Sequence, residues 1–125
     1  MQVVALSVLD PANPFGSLLA WPTHAAGQRP LRRAGAFVVI GDGRPLLYLA
    51  QGGRSLLSWL QDSDRATPAL LAAAAQALAR ALRGGRRLSF TLERIDEAPV
   101  ARGALTDALR AAGFSNVPKG LDWLG

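Results

Sequence analysis

RAGAFVVIGDGRPLLYLAQGGRSLLSWL, residues 33–60, decides the fold. It holds three apolar runs rich in β-formers: Ala36 to Ile40, Leu46 to Ala50, and Ser55 to Leu60. Gly41-Asp42-Gly43-Arg44 joins the first two, and Gln51-Gly52-Gly53-Arg54 joins the second to the third. Glycine supplies the positive φ of tight hairpin turns, so closely spaced runs joined in this way predict an antiparallel meander. The runs are nearly continuous in apolar residues instead of alternating. That pattern requires a sheet curled around its own core or covered on its outer face.

Outward from the meander, Gln2 to Leu9 reads as a first strand, closed by Asp10-Pro11-Ala12-Asn13-Pro14-Phe15-Gly16. Two prolines, each preceded or closely flanked by an Asx residue, make this a rigid loop in which Asp10 and Asn13 bond downstream amides. Trp21 before Pro22 is held extended and reads as a core plug. Residues 23–30, THAAGQRP, lack periodicity, so His24 is expected to be a solvated loop histidine. Beyond the meander, Thr67-Pro68 starts a helix with Thr67 as its cap. Leu70, Leu71, Ala74, Leu78, Ala81 and Leu82 share one stripe, and Gly84-Gly85 ends it. Arg86 to Ile95 alternates as one half-exposed strand, with Leu88, Phe90, Leu92 and Arg94 on one side. A second helix covers about residues 103–112, with a Gly113 cap and Phe114 folding back over it. A loop at Val117 to Gly120 leads to a closing strand around Leu121 to Leu124. The expectation is one α+β domain over residues 1–125: a small antiparallel β-barrel, or strongly curled sheet, of about six strands with two packed helices.

Composition bounds the function. At 125 residues the chain can bury a core without staples, and its zero cysteines exclude disulfides and thiolate metal sites. A single histidine, His24, argues against a zinc centre or a histidine triad. No apolar run reaches the roughly 18 residues of a membrane span, and the start lacks the basic region of a secretory signal. A cytoplasmic protein is expected. Fourteen basic residues oppose nine acidic ones, a net charge of +5, and guanidinium groups grip phosphate with paired hydrogen bonds. The same excess also serves solubility.

Motifs for chemistry are absent: the sequence has no GxxxxGK[ST], GxGxxG, GxSxG, HExxH or CxxC. No resident cofactor or metal is expected. Asp62/Asp64 and Asp96/Glu97 lie in polar turns and read as solvated charges. An enzyme built from these residues would depend on a lone acid.

Three blocks carry a family resemblance: DPANPFG with GSLLAWP at 10–22, RPLRRAGAFVVIGDGRPLLYLAQGGRSLLSW at 29–59, and LTDALRAAGFSNVPKGL at 105–121. In order and spacing they resemble the carboxyl-terminal module of the large helicase-related (Lhr) family, superfamily 2 DEAD/DEAH-box DNA helicases of bacteria implicated in DNA repair. The chain departs from that pattern at Phe15 in place of tyrosine, Gln51 in place of arginine and Val117 in place of threonine. The resemblance implies a β-barrel module that follows winged-helix domains, with the motor and ATP site elsewhere in the parent protein. On that reading the chain is a non-catalytic DNA-binding and assembly module. Arg32, Arg33, Arg54, Arg86, Arg87 and Lys119 would meet phosphates without sequence preference. The family is also linked to uracil removal through an aspartate near the carboxyl terminus. Asp122, or else Asp10, would be the acid of a glycosylase site. A third reading is structural: a closing module that packs on winged-helix neighbours or self-associates.

Overall fold

The computed structural model describes residues 2–17, 19–22, 24, 30, 34–60, 67–84 and 89–124. The meander forms as its turns dictate. Strands β1 (Val3–Ser7), β2 (Phe37–Gly41), β3 (Arg44–Leu49) and β4 (Ser55–Ser58) are successive antiparallel neighbours. Asp42 and Gly43, at φ 55 and 73, make the two-residue β2–β3 turn with the double positive φ of a type I′ hairpin. The pairing of β2 with β3 slips between Val39 and Ile40: Val39 faces Leu47, whereas Ile40 faces Pro45. Leu46 is the extra residue of a β-bulge. It lets Leu46 and Leu47 both enter the core and gives Pro45 a position where a missing N–H is tolerated.

Helix α1 (Pro68–Gly84) follows, its first turn closed by Thr67 Oγ1 accepting the Leu70 N–H at 3.2 Å. Its expected stripe is buried except for partly exposed Ala81, and Ala75, Ala77 and Ala79 are buried too. The wider apolar face arises because α1 packs on β1 and β2 and also on α2 (Ala104–Ala112). Gly113, at φ 130, ends α2. The Phe114 N–H reaches back to Leu109 O at 3.1 Å and the Gly113 N–H to Arg110 O at 3.1 Å, the paired bonds of a Schellman cap.

The single strand expected at 86–95 is two strands, with residues 85–88 outside the described set. Chain direction breaks at Glu93, between β5 (Phe90–Leu92) and β6 (Arg94–Ile95). Arg94 is exposed and does not continue the inward row of Phe90 and Leu92. β6 turns through Asp96 and Glu97 into β7 (Ala98–Pro99), and its pairing with β4 is parallel. β5 leaves for a second sheet with β8 (Ser115–Val117) and β9 (Gly120–Trp123), in the order β5-β9-β8. The main sheet runs β1-β2-β3-β4-β6-β7. The fold is α+β with a six-stranded main sheet, as expected, and of the two expected forms it takes the curled sheet; two further features correct the sequence reading. Among the described residues no pairing joins β1 to β7, so the sheet is curled and open and not a closed barrel. One of its ladders is parallel. A separate three-stranded sheet carries the carboxyl-terminal end.

The near-continuous apolar runs have their cause in two covered faces. One face supplies Val39, Leu47, Leu49 and Leu56 to a core completed by both helices and by Leu92, Phe114, Leu121 and Trp123. The opposite face supplies Val38, Tyr48 and Leu57, and the segment after β1 covers it with Val8, Trp21 and Trp59 of the β4 end. Each fully buried leucine contributes about 2 kcal/mol, so both layers hold the sheet.

Candidate functional site

The loop on the second face is built by its Asx residues as the sequence implied. Asp10 Oδ1 accepts the Ala12 N–H at 2.8 Å and Asn13 Oδ1 accepts the Phe15 N–H at 3.1 Å. Asn13 is 1% exposed and also donates from Nδ2 to Val8 O at 2.8 Å, which ties the loop to the end of β1. The loop then delivers an aromatic row. Phe15 stacks on Trp21 at 5.5 Å, Trp21 lies parallel to Trp59 at 6.1 Å, and Tyr48 meets Trp21 edge-on at 5.7 Å. Each such pair is worth about 1 kcal/mol beyond burial. Trp21 is therefore the core plug that its sequence position indicated.

His24 corrects the sequence reading. It is 4% exposed, not solvated, and packs edge-on against Trp59 at 5.6 Å. Its Nε2 lies 2.6 Å from Asp96 Oδ1 and 3.0 Å from Ser58 O. Both partners are acceptors, so Nε2 carries the proton and donates to them. The same Asp96 oxygen accepts the Ser58 N–H at 2.6 Å. Asp96 and Glu97 hold φ of 53 and 69 in the β6–β7 turn, a conformation that aspartate tolerates better than most residues. The cluster clasps the covering loop to β4. Seventy-two residues separate His24 from Asp96, so no local spacing could have revealed the pair. The acidic tip of a tight hairpin was the one available signal.

Asp122 lies on the outer face of the second sheet, opposite Thr91 on β5 and Ser115 on β8. Its carboxylate is half-buried and accepts the Thr91 hydroxyl at 2.5 Å. The row Thr91–Asp122–Ser115 can hold a carboxylate at a fixed position beside hydroxyls. Asp10 is engaged in its Asx turn at the other side of the sequence block.

Of the expected phosphate contacts, Arg32, Arg33, Arg86 and Arg87 lie outside the described residues. Arg54 stands in the β3–β4 turn with its side chain 83% exposed, 3.9 Å from Glu93. Its carbonyl accepts the N–H of both Glu93, at 2.9 Å, and Arg94, at 3.1 Å, so the two arginines share one rim. Lys119 is exposed in the β8–β9 turn. Every described basic side chain (Arg44, Arg54, Arg80, Arg83, Arg94, Arg102, Arg110 and Lys119) is exposed. Among the described residues their ion pairs are the Arg54–Glu93 contact and Arg110–Asp107 at 3.8 Å, both long and solvated. Arg83 also lies over Trp123, 5.4 Å from the ring centroid, and donates to Ala112 O at 2.7 Å. No described group of acids and histidines could hold a metal ion, and no described helix is long and apolar enough to cross a membrane.

No family model matches the sequence. Among curated proteins, the chain is 48% identical over 120 residues to the Lhr helicase/uracil glycosylase of Escherichia coli (strain K12). It is 43% identical over 127 residues to the Lhr helicase/probable uracil glycosylase of Mycolicibacterium smegmatis. Each match takes in 96% of this chain but 8% of the relative. By sequence, the chain is the counterpart of one small domain of these Lhr proteins, spanning 8% of their length.

Proposed function

We propose that this domain is a nucleic-acid-contacting and assembly module of a DNA repair helicase, which meets DNA through phosphates and leaves ATP-driven movement to other parts of the parent protein. The observation that carries this reading is the set of eight exposed, weakly paired cations in a chain of net charge +5. Guanidinium groups free of tight ion pairs are available to phosphate oxygens, and such contacts give affinity without sequence preference. Exposed Leu9, Leu19 and Leu124 favour the assembly role, since they offer apolar surface to a neighbouring module such as a winged helix. Binding of labelled single- and double-stranded DNA at about 50 mM salt tests the reading. The intact chain should bind. Joint reversal of Arg54 and Lys119 (Arg54→Glu with Lys119→Glu) should weaken binding about tenfold or more. No measurable binding by the unaltered chain would end it.

A second reading rests on Asp122. The relatives are named helicase/uracil glycosylases, and the half-buried Asp122 carboxylate is held by Thr91. A glycosylase hydrolyses the bond from sugar to base. Water adds to the sugar carbon, the base leaves with a proton, and a carboxylate beside the flipped nucleotide activates that water or stabilises the sugar cation. Incubation with uracil-containing DNA should release free uracil, and Asp122→Asn should abolish release. The asparagine oxygen can still accept the Thr91 hydroxyl, so loss of product would report chemistry and not unfolding. No product from the unaltered chain removes this reading for the domain by itself.

A further inference from the structure

We infer that Thr91 is a positioning residue of the Asp122 site: its hydroxyl fixes one carboxylate oxygen so that the other is presented to the attacking water. The inference rests on the glycosylase reading of Asp122. β9 is the middle strand of the second sheet, and aspartate is disfavoured in the interior of a strand. Leu121 and Trp123, on either side of Asp122 in the chain, are buried in the core, so the carboxylate faces outward. Its register partners Thr91 and Ser115 face the same way and flank it with hydroxyls. Asp122 Oδ1 accepts the Thr91 hydroxyl at 2.5 Å, a short bond of the charge-assisted kind. Among the described residues no hydrogen bond engages Oδ2, and Ser115 on the β8 side is exposed.

The mount is rigid. An added Cβ at Gly120 would lie 2.0 Å from Leu92 O, so β5 and β9 are in close backbone contact just beyond the Thr91–Asp122 pair, and the ladder fixes their register. The terminal torsion of an aspartate is broad, and the Thr91 bond selects one orientation of the carboxylate. The step it serves moves one proton. As the water oxygen bonds to sugar C1′, Oδ2 takes a proton from that water. The C1′–N1 bond breaks, and its electron pair leaves with the uracil, which then takes up the proton. A stability role alone would make little use of the hydroxyl: one hydrogen bond contributes about 1 kcal/mol net, and valine, of the same shape, is at least as good a strand former.

Single-turnover release of uracil from uracil-containing DNA by the intact chain tests this, with the maximal rate and the half-saturating protein concentration read separately. Thr91→Val should lower the maximal rate about tenfold and leave the half-saturating concentration within about twofold. Thr91→Ser, which keeps the hydroxyl, should recover most of the lost rate. Should Thr91→Val fail to fold, as read by urea unfolding, Thr91→Ala takes its place with the same expectation. An unchanged maximal rate in the valine variant overturns the inference while the glycosylase reading stands. So does an equal loss in the serine and valine variants, or a loss confined to the half-saturating concentration. No uracil from the unaltered chain removes the glycosylase reading and this inference with it.

Discussion

Gly120→Ala should cost about 4 kcal/mol of unfolding free energy, a large share of the stability of a domain this size. Two effects add. Gly120 sits at φ 150, where an L side chain is strained, and an added Cβ would lie 2.0 Å from Leu92 O and 3.3 Å from Glu93 Cα. Both obstacles are backbone and cannot rotate away. β5 and β9 would have to separate, which withdraws Leu92, Leu121 and Trp123 from the core. Gly43→Ala is the control: its φ of 73 is strained too, but nothing lies within 4 Å of the added atom, so about 1 kcal/mol is expected. Denaturant midpoints measure both. Similar losses in the two variants would contradict the close approach of β5 to Gly120.

Asp96→Ala should destabilise by about 3 kcal/mol, because it removes one acceptor from two buried donors. The Ser58 N–H would lose its 2.6 Å bond, and the buried His24 Nε2 would lose its 2.6 Å bond to the same oxygen. Alanine also suits a φ of 53 poorly. Asp96→Asn retains an oxygen in the same place and tolerates that φ, so its cost should stay near about 1 kcal/mol. Tryptophan fluorescence during urea unfolding reads both variants, since Trp59 lies against His24. Equal losses for alanine and asparagine would show that the clasp does not depend on the shared oxygen.

What the sequence revealed follows the range of its signals. The meander, the two helices, the Thr67 cap and the Gly113–Phe114 Schellman turn depend on residues adjacent in the chain, and each formed where its local chemistry placed it. Asn13 was legible for the same reason. The expectation left a barrel and a strongly curled sheet both open, and the curled sheet formed, because continuous apolar runs fit two architectures equally: a sheet closed on itself, or one covered on both sides. The choice rests on contacts of Trp21 and Val8 with Tyr48 and Trp59, which no window of sequence contains. The break at Glu93 was hidden by the regular alternation through Arg94, although the ladder changes partners there, from β9 to β4. His24 was misread because its surroundings in the chain are polar while its partners are brought from β4 and the β6–β7 turn.

The central claim is that the exposed cations act on phosphate, and the salt dependence of DNA binding tests it most directly. If Arg54, Lys119 and a few neighbouring arginines contact the backbone, log affinity should fall linearly with log salt at a slope of about −3 to −5, with little difference between DNA sequences. Joint reversal of Arg54 and Lys119 should make that slope shallower by about 2. A slope near zero, or one unchanged by the reversal, would contradict the account.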